Sequence, residues 1–231
     1  MPDHSVNLLR VDASIRLDGS VTRAVADSAQ SGVQSHLPGV TVTRRELGRD
    51  PLPARTWVDA VAARASTAPL TPSQQEAKDL ATRLADELVE ADALLFAIPL
   101  YNFGVPHHVK SWVDVVITDP RMKSGSERIL AHKPAILVLA RGGGYGEGAP
   151  RHGWDHNTPW LRRIFVDVWG LDVRLIEVEL TLAYVTPAME ALRDRADQEL
   201  AAGHVLARRQ GELLAERLLP LHAQPATRGH V

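Results

Sequence analysis

Three stretches of the chain carry side chains whose types and spacing suit chemistry. In Ser14-Ile15-Arg16-Leu17-Asp18-Gly19-Ser20-Val21-Thr22, hydroxyls run directly onto the start of a helical pattern. A helix N-terminus presents free N–H groups and a partial positive charge, so Ser14, Ser20 and Thr22 there suit a phosphate; the plainer alternative makes Ser20 only an N-cap. No Gly-Lys-Ser/Thr follows and the glycine triplet is missing, which excludes a Walker loop and a dinucleotide fingerprint. Pro99-Leu100-Tyr101-Asn102-Phe103-Gly104 places large side chains where a mere connection needs none. A planar ring fits against Tyr101 and Phe103, Asn102 offers donor and acceptor to a heterocycle edge, and Gly104 lets backbone approach; otherwise Tyr101 and Phe103 finish a core. Ala140-Arg141-Gly142-Gly143-Gly144-Tyr145-Gly146-Glu147-Gly148 lacks G-x-G-x-x-G and is followed by Pro150, not a helix. It reads as backbone turning beneath a flat ligand and offering N–H groups to its polar edge, or as a flexible loop.

Rival chemistries are poorly supplied. His152, Asp155 and His156 have metal-ligand spacing, but Gly153 and Pro159 disfavour a helix and no third ligand is evident, so no metal is assigned. His107 and His108 read as surface residues. No G-x-S-x-G is present, and the absence of cysteine excludes a thiolate nucleophile, a disulfide framework and cysteine-ligated metal. With a formal net charge of −2, nucleic acid and anionic membrane are disfavoured as partners, and a small molecule is favoured. No signal-peptide pattern or membrane-length apolar run occurs, which suggests a cytoplasmic protein.

These stretches need elements to hold them. Val6 to Val11 is an apolar run of strand length, and Ala24, Val25, Ser28 and Val33 are spaced for a helix ending before Pro38-Gly39. Val40 to Glu46 alternates as a more exposed strand. Gly48 to Leu70, rich in proline and alanine, predicts an irregular excursion with one helical turn. Thr71, Pro72 and Gln74 form a capping-box start for a helix whose Ala77, Leu80, Leu84 and Leu88 share a face. Ala93 to Ile98 is the most apolar strand, and Val109 to Ile117 is helical. Pro134 to Ala140 is a strand, Thr158-Pro159 opens a helix closed by Gly170, Leu171 to Leu180 is a strand, and Pro187 to Leu218 is a long helix. A disordered tail is expected from Pro220. At 231 residues, 45% hydrophobic, the chain suits one domain, residues 1–219. Alternating β and α predicts an open parallel sheet with helices on both faces, and the ends of three strands put the three stretches together.

The combination of VDASIRLDGSVT, APLTPSQQEA, FAIPLYNFGVPHHVKSWVD and VLARGGGYGEG resembles the FMN-dependent NADH:quinone oxidoreductases known as azoreductases, from about Leu8 to about Glu199. The resemblance implies a flavodoxin-like, doubly wound, five-stranded parallel α/β sheet of order 2-1-3-4-5. It implies FMN as cofactor, with Ser14, Ser20, Val21 and Thr22 holding the phosphate. Leu100, Tyr101, Asn102 and Phe103 would line the isoalloxazine, and Ala140, Arg141, Gly142 and Gly143 would meet its pyrimidine side. NADH or NADPH would deliver hydride to N5, and a small-molecule acceptor, a quinone or an azo compound, would replace it in a ping-pong cycle. No residue is assigned a strictly catalytic role; solvent or Tyr145 could give a proton. A homodimer is implied. The family commonly carries Ser where Ala140 stands, and Asp119 to His132 is shorter than in the relatives and lacks their ring-covering aromatic stretch. Trp57, Trp112, Tyr145 and Trp154 are candidates to compensate. A reductase specialised for a biosynthetic intermediate and a non-enzymatic flavodoxin-type binding module are the alternatives; turnover of simple quinones counts against the first, and reduction by NADH against the second.

Overall fold

The computed structural model describes residues 5–222. Five parallel strands, β1 (Asn7–Asp12), β2 (Thr41–Glu46), β3 (Ala93–Pro99), β4 (Pro134–Ala140) and β5 (Asp172–Val178), form one sheet in the order β2-β1-β3-β4-β5. The helices are α1 (Val21–His36), α2 (Thr56–Ala65), α3 (Pro72–Glu90), α4 (His107–Val116), α5 (Asn157–Arg162) and α6 (Arg193–His222). The expected sheet order is thus observed. Its chain reversal falls between β1 and β3, the position at which open α/β sheets bind ligands beyond the strands' carboxyl ends.

Strand residues alternate between two cores because a strand's side chains point to opposite faces. Leu8, Leu95, Ile136 and Val138 pack with Val25, Ala29 and Val33 of α1 and Ala207 and Leu214 of α6. Leu9, Val11, Leu94, Phe96 and Ile98 pack on the other face with Leu84 and Leu88 of α3, Trp112 of α4, and Phe165 and Trp169. Phe96 stacks on Phe165 with ring centroids 4.3 Å apart. β3 is buried along its whole length, as expected for a strand covered on both faces.

Local departures have local causes. The capping box closes as the sequence predicts, Thr71 Oγ1 accepting from the Gln74 amide and Gln74 Oε1 from the Thr71 amide. The excursion after Gly48 holds a ten-residue helix rather than a single turn, because Ala60 and Ala63 find a buried face against neighbouring elements. α5 continues as a π-helix over Arg163–Val168, which keeps Phe165 buried before Gly170 ends it at φ 78°. The long C-terminal helix begins as a 3-10 turn, Pro187–Leu192, and runs in α6 through His222. The rest of the tail expected from Pro220 lies outside the described residues.

Candidate active site

A cleft of about 770 Å³ opens beyond the carboxyl ends of β1, β3 and β4, within the range usual for small-molecule sites. Its walls come from all three stretches: Ser14, Ser20, Val21 and Thr22 from the first, Leu100, Tyr101 and Asn102 from the second, Ala140 and Gly142 from the third.

The first wall is built around the start of α1. Ser20 is indeed the N-cap, its Oγ accepting from the Arg23 amide at 3.3 Å, and it faces the cleft as well. The capping and binding readings are therefore compatible. The amides of Val21 and Thr22 lie in the first turn, where no intrahelical acceptor exists. Arg23 closes the loop against the helix, donating from Nη2 to the Ser14 carbonyl (2.9 Å) and from Nε to the Arg16 carbonyl (3.2 Å). Its charge is met by Glu46 at 2.7 Å. Gly48 runs so close beneath that a Cβ would sit 2.2 Å from the Ser14 carbonyl oxygen, so only glycine fits there. Under this loop Arg10 is almost wholly buried and forms a two-bonded pair with Asp12.

The second wall is a strained turn. Tyr101 and Gly104 exchange backbone hydrogen bonds, and Asn102 (φ 47°) and Phe103 (φ 67°) between them both adopt the left-handed region. Two consecutive non-glycine residues there are uncommon and cost energy, a pattern that clusters at ligand sites. The Tyr101 hydroxyl accepts the Ile15 amide at 3.1 Å and thereby ties this turn to the first loop. Gly104 lines the cleft, and a Cβ added to it would meet nothing within 4 Å, so the backbone borders open space. His108 is buried, not superficial as its sequence context suggested. Its Nε2 lies 2.7 Å from the Ala13 carbonyl and donates to it. Burial pushes its pKa below the ordinary value, the bond to Ala13 opposing and nearby His107 assisting. His107 is exposed and lines the same cleft.

The third wall presents backbone. The Arg141 side chain is buried and held by Asp155 (3.1 Å), Glu179 (3.0 Å) and Glu177, with a further bond to Thr158. It is therefore engaged outside the cleft, and neither it nor Gly143 is among the lining residues; Phe103 likewise turns to the rim. Thr181 and Leu182, which sequence reasoning did not single out, complete the wall, their amides bonded to the carbonyls of Arg141 and Gly142. They follow β5, so the strand-end rule applied to that strand as well would have found them.

Of the aromatic residues considered as extra cover, Trp112 is locked in the core, while Trp57 and Trp154 are half exposed and Tyr145 is buried; none lines the cleft. The segment from Asp119 to His132 folds onto Asp119–Arg121–Asp86 ion pairs and buried Met122 and Leu130, and contributes nothing to the walls.

Free amides, hydroxyls and the exposed Arg16 at one end suit a dianionic phosphate, and the flat backbone and aromatic walls at the other suit a planar heterocycle. The donor set and dimensions fit a mononucleotide bearing a fused ring, the class of ligand served by sheets of this order. A family described as having a flavodoxin-like fold matches residues 6–202. Among similar proteins, an FMN-dependent NADH:quinone oxidoreductase of Frankia alni is 37% identical over 85% of this chain and 94% of its own. One of Kineococcus radiotolerans is 36% identical over 87% and 96%. An azoreductase structure from Bacillus anthracis shares the fold, with TM-score 0.75 at 19% identity, over 90% of this chain and 99% of that one. The chain belongs to the family of FMN-dependent NADH:quinone oxidoreductases.

Proposed function

We propose that the cleft holds FMN and that the protein oxidises NADH and reduces a quinone or azo acceptor in a ping-pong cycle. The observation that carries this reading is the meeting of a helix N-terminus with free amides and a strained aromatic turn in one cleft. The names of the relatives, FMN-dependent NADH:quinone oxidoreductases, supply the reactants.

Bound FMN supplies hydride acceptance and donation at its N5. The chain's part is binding and placement. Val21 and Thr22 amides, the hydroxyls of Ser14, Ser20 and Thr22, and the Arg16 charge hold the phosphate. Leu100, Tyr101 and Asn102 form the ring wall, and Ala140 with Gly142 offers backbone to the ring's polar edge. Arg141 and Gly143 act from behind these walls, and Phe103 stands at the rim. Reductant and acceptor then use the same open side in turn, which calls for positioning rather than a dedicated acid or base. Neutral His108 fixes the Ala13 carbonyl and so the entry into the phosphate loop.

The exposed side chains of Trp57, Val58 and Val61 on α2 favour a homodimer. Among the described residues no helix is long and apolar enough to cross a membrane, and dependence on NADH suits work in the cytoplasm.

The test begins with the purified protein: acid extraction should release FMN and not FAD. NADH should bleach the bound chromophore anaerobically, and reciprocal plots at several quinone concentrations should give parallel lines. Intersecting lines would remove the ping-pong cycle, and failure to bleach would leave a binding module.

A further inference from the structure

The shortened segment Asp119 to His132, without the ring-covering stretch, does not reach the cleft, which leaves acceptor choice to whatever stands at the mouth. A cation, Arg151, stands beside the lining residues of the second and third walls. The Arg151 guanidinium lies 5.8 Å from the Phe103 ring centroid, over its face. Its Nη1 is only 2.9 Å from the place a Cβ on Gly143 would occupy, so the same group bridges the rims of the second and third loops. Trp154, half exposed, stands edge-on to Phe103 with ring centroids 5.4 Å apart and an interplanar angle of 78°. The turn carrying both residues is fixed by the Trp154 amide bonding to the Arg151 carbonyl and the His156 amide to the Phe103 carbonyl. Residues adjacent to this shelf, Asn102, Gly104 and Gly142, line the cleft itself.

The charge at this shelf is uncompensated. Arg141, the cation within the third loop, is consumed by Asp155, Glu177 and Glu179. Among the described residues Arg151 has neither a carboxylate partner nor a side-chain hydrogen bond, although it is exposed and close to two backbone loops. A guanidinium over an aromatic face keeps its in-plane N–H groups free for an oxyanion, which it can grip with two parallel bonds. An aromatic edge and a forked cation side by side recognise a planar ring carrying a carboxylate or sulfonate.

We propose that Arg151, with Phe103 and Trp154, is a specificity-determining residue that selects anionic aromatic acceptors at the cleft mouth. The inference rests on the FMN-reductase reading of the cleft. Arg151 acts in binding: it neutralises and orients the acceptor's anionic substituent while the ring enters beside Asn102 and Gly104, and it exchanges no proton. Because the group is exposed, its effect is screened by salt.

The experiment compares a naphthoquinone sulfonate with the unsubstituted naphthoquinone, using holoenzyme of the wild type, Arg151→Gln and Arg151→Lys. Arg151→Gln should raise KM for the sulfonate about fivefold at low ionic strength, the scale of one exposed charge pair. It should leave kcat, KM for the neutral quinone and KM for NADH within about twofold, and raised salt should bring the wild type toward the variant. Arg151→Lys should recover part of the loss. Equal changes for both quinones would overturn the proposal, and so would a rise in KM for NADH alone, since the cation would then serve the dinucleotide's phosphates. If the wild type turns over neither quinone while binding FMN, the reductase reading itself fails, an outcome distinct from loss of the charge preference.

Discussion

His108 sits at the first turn of α4 as a neutral imidazole that donates to Ala13. Its folded pKa lies below the ordinary 6.5, chiefly through burial. The stability this contributes is complete above the unfolded value and is lost as pH falls through the folded one, because the unfolded chain takes up the proton first. Urea midpoints should therefore drop between about pH 7 and pH 5 in the wild type, and His108→Gln should drop less over that interval. A matching drop in both proteins would assign the effect to other groups. Tyr101→Phe tests the tie between two walls: losing the acceptor for the Ile15 amide should cost about 1 kcal/mol in denaturant unfolding. It should also weaken FMN retention, read by fluorescence of released flavin. At this scale the sequence was only partly legible. The hydroxyl run announced one wall of the cleft because its side chains are local to one loop. Nothing in a glycine-rich string announced that Asp155, Glu177 and Glu179 would converge on Arg141, since that is a tertiary event. For His107 and His108, read as surface residues, the sequence did not say that one of them turns inward.

Among the elements, the packing of α1 on α6 depends on two missing side chains. A Cβ on Gly211 would fall 2.0 Å from the Ala29 carbonyl oxygen, and one on Gly32 would fall 2.2 Å from that of Arg208. Gly211→Ala gains ~1 kcal/mol of helix propensity but overpacks a backbone contact at ~3 kcal/mol, so a net loss of about 2 kcal/mol is expected. An unchanged denaturation midpoint would show that the helices separate freely. The capped start of α3 was readable from Thr71, Pro72 and Gln74, because all partners lie within one turn. The length of α2 was not, because its prolines masked a short amphipathic run that only its neighbours stabilise. The π-helical continuation of α5 was equally hidden, since its extra residue per turn answers to the stacked aromatics beneath it.

For the molecule as a whole, the alternation of apolar runs with helical patterns was enough to give the sheet, and right-handed crossovers narrowed its order. The proposed dimer is a matter of surface. Trp57, Val58 and Val61 stand about half exposed on α2, and sedimentation should report a dimer that Trp57→Glu converts to monomer. A monomer at every concentration would sink it. The contact between α1 and α6 carries a further consequence for how the molecule is made. Ser28 Oγ bonds His204 Nδ1 across a separation of 176 positions. Synthesis proceeds from the N-terminus at roughly 5–20 residues per second, so the helix that opens the first wall of the cleft emerges early and meets its packing partner last. Until α6 has left the ribosome, one flank of α1 lies bare, and the wall it carries has no fixed frame. Cofactor uptake should therefore wait until α6 has emerged and packed on α1.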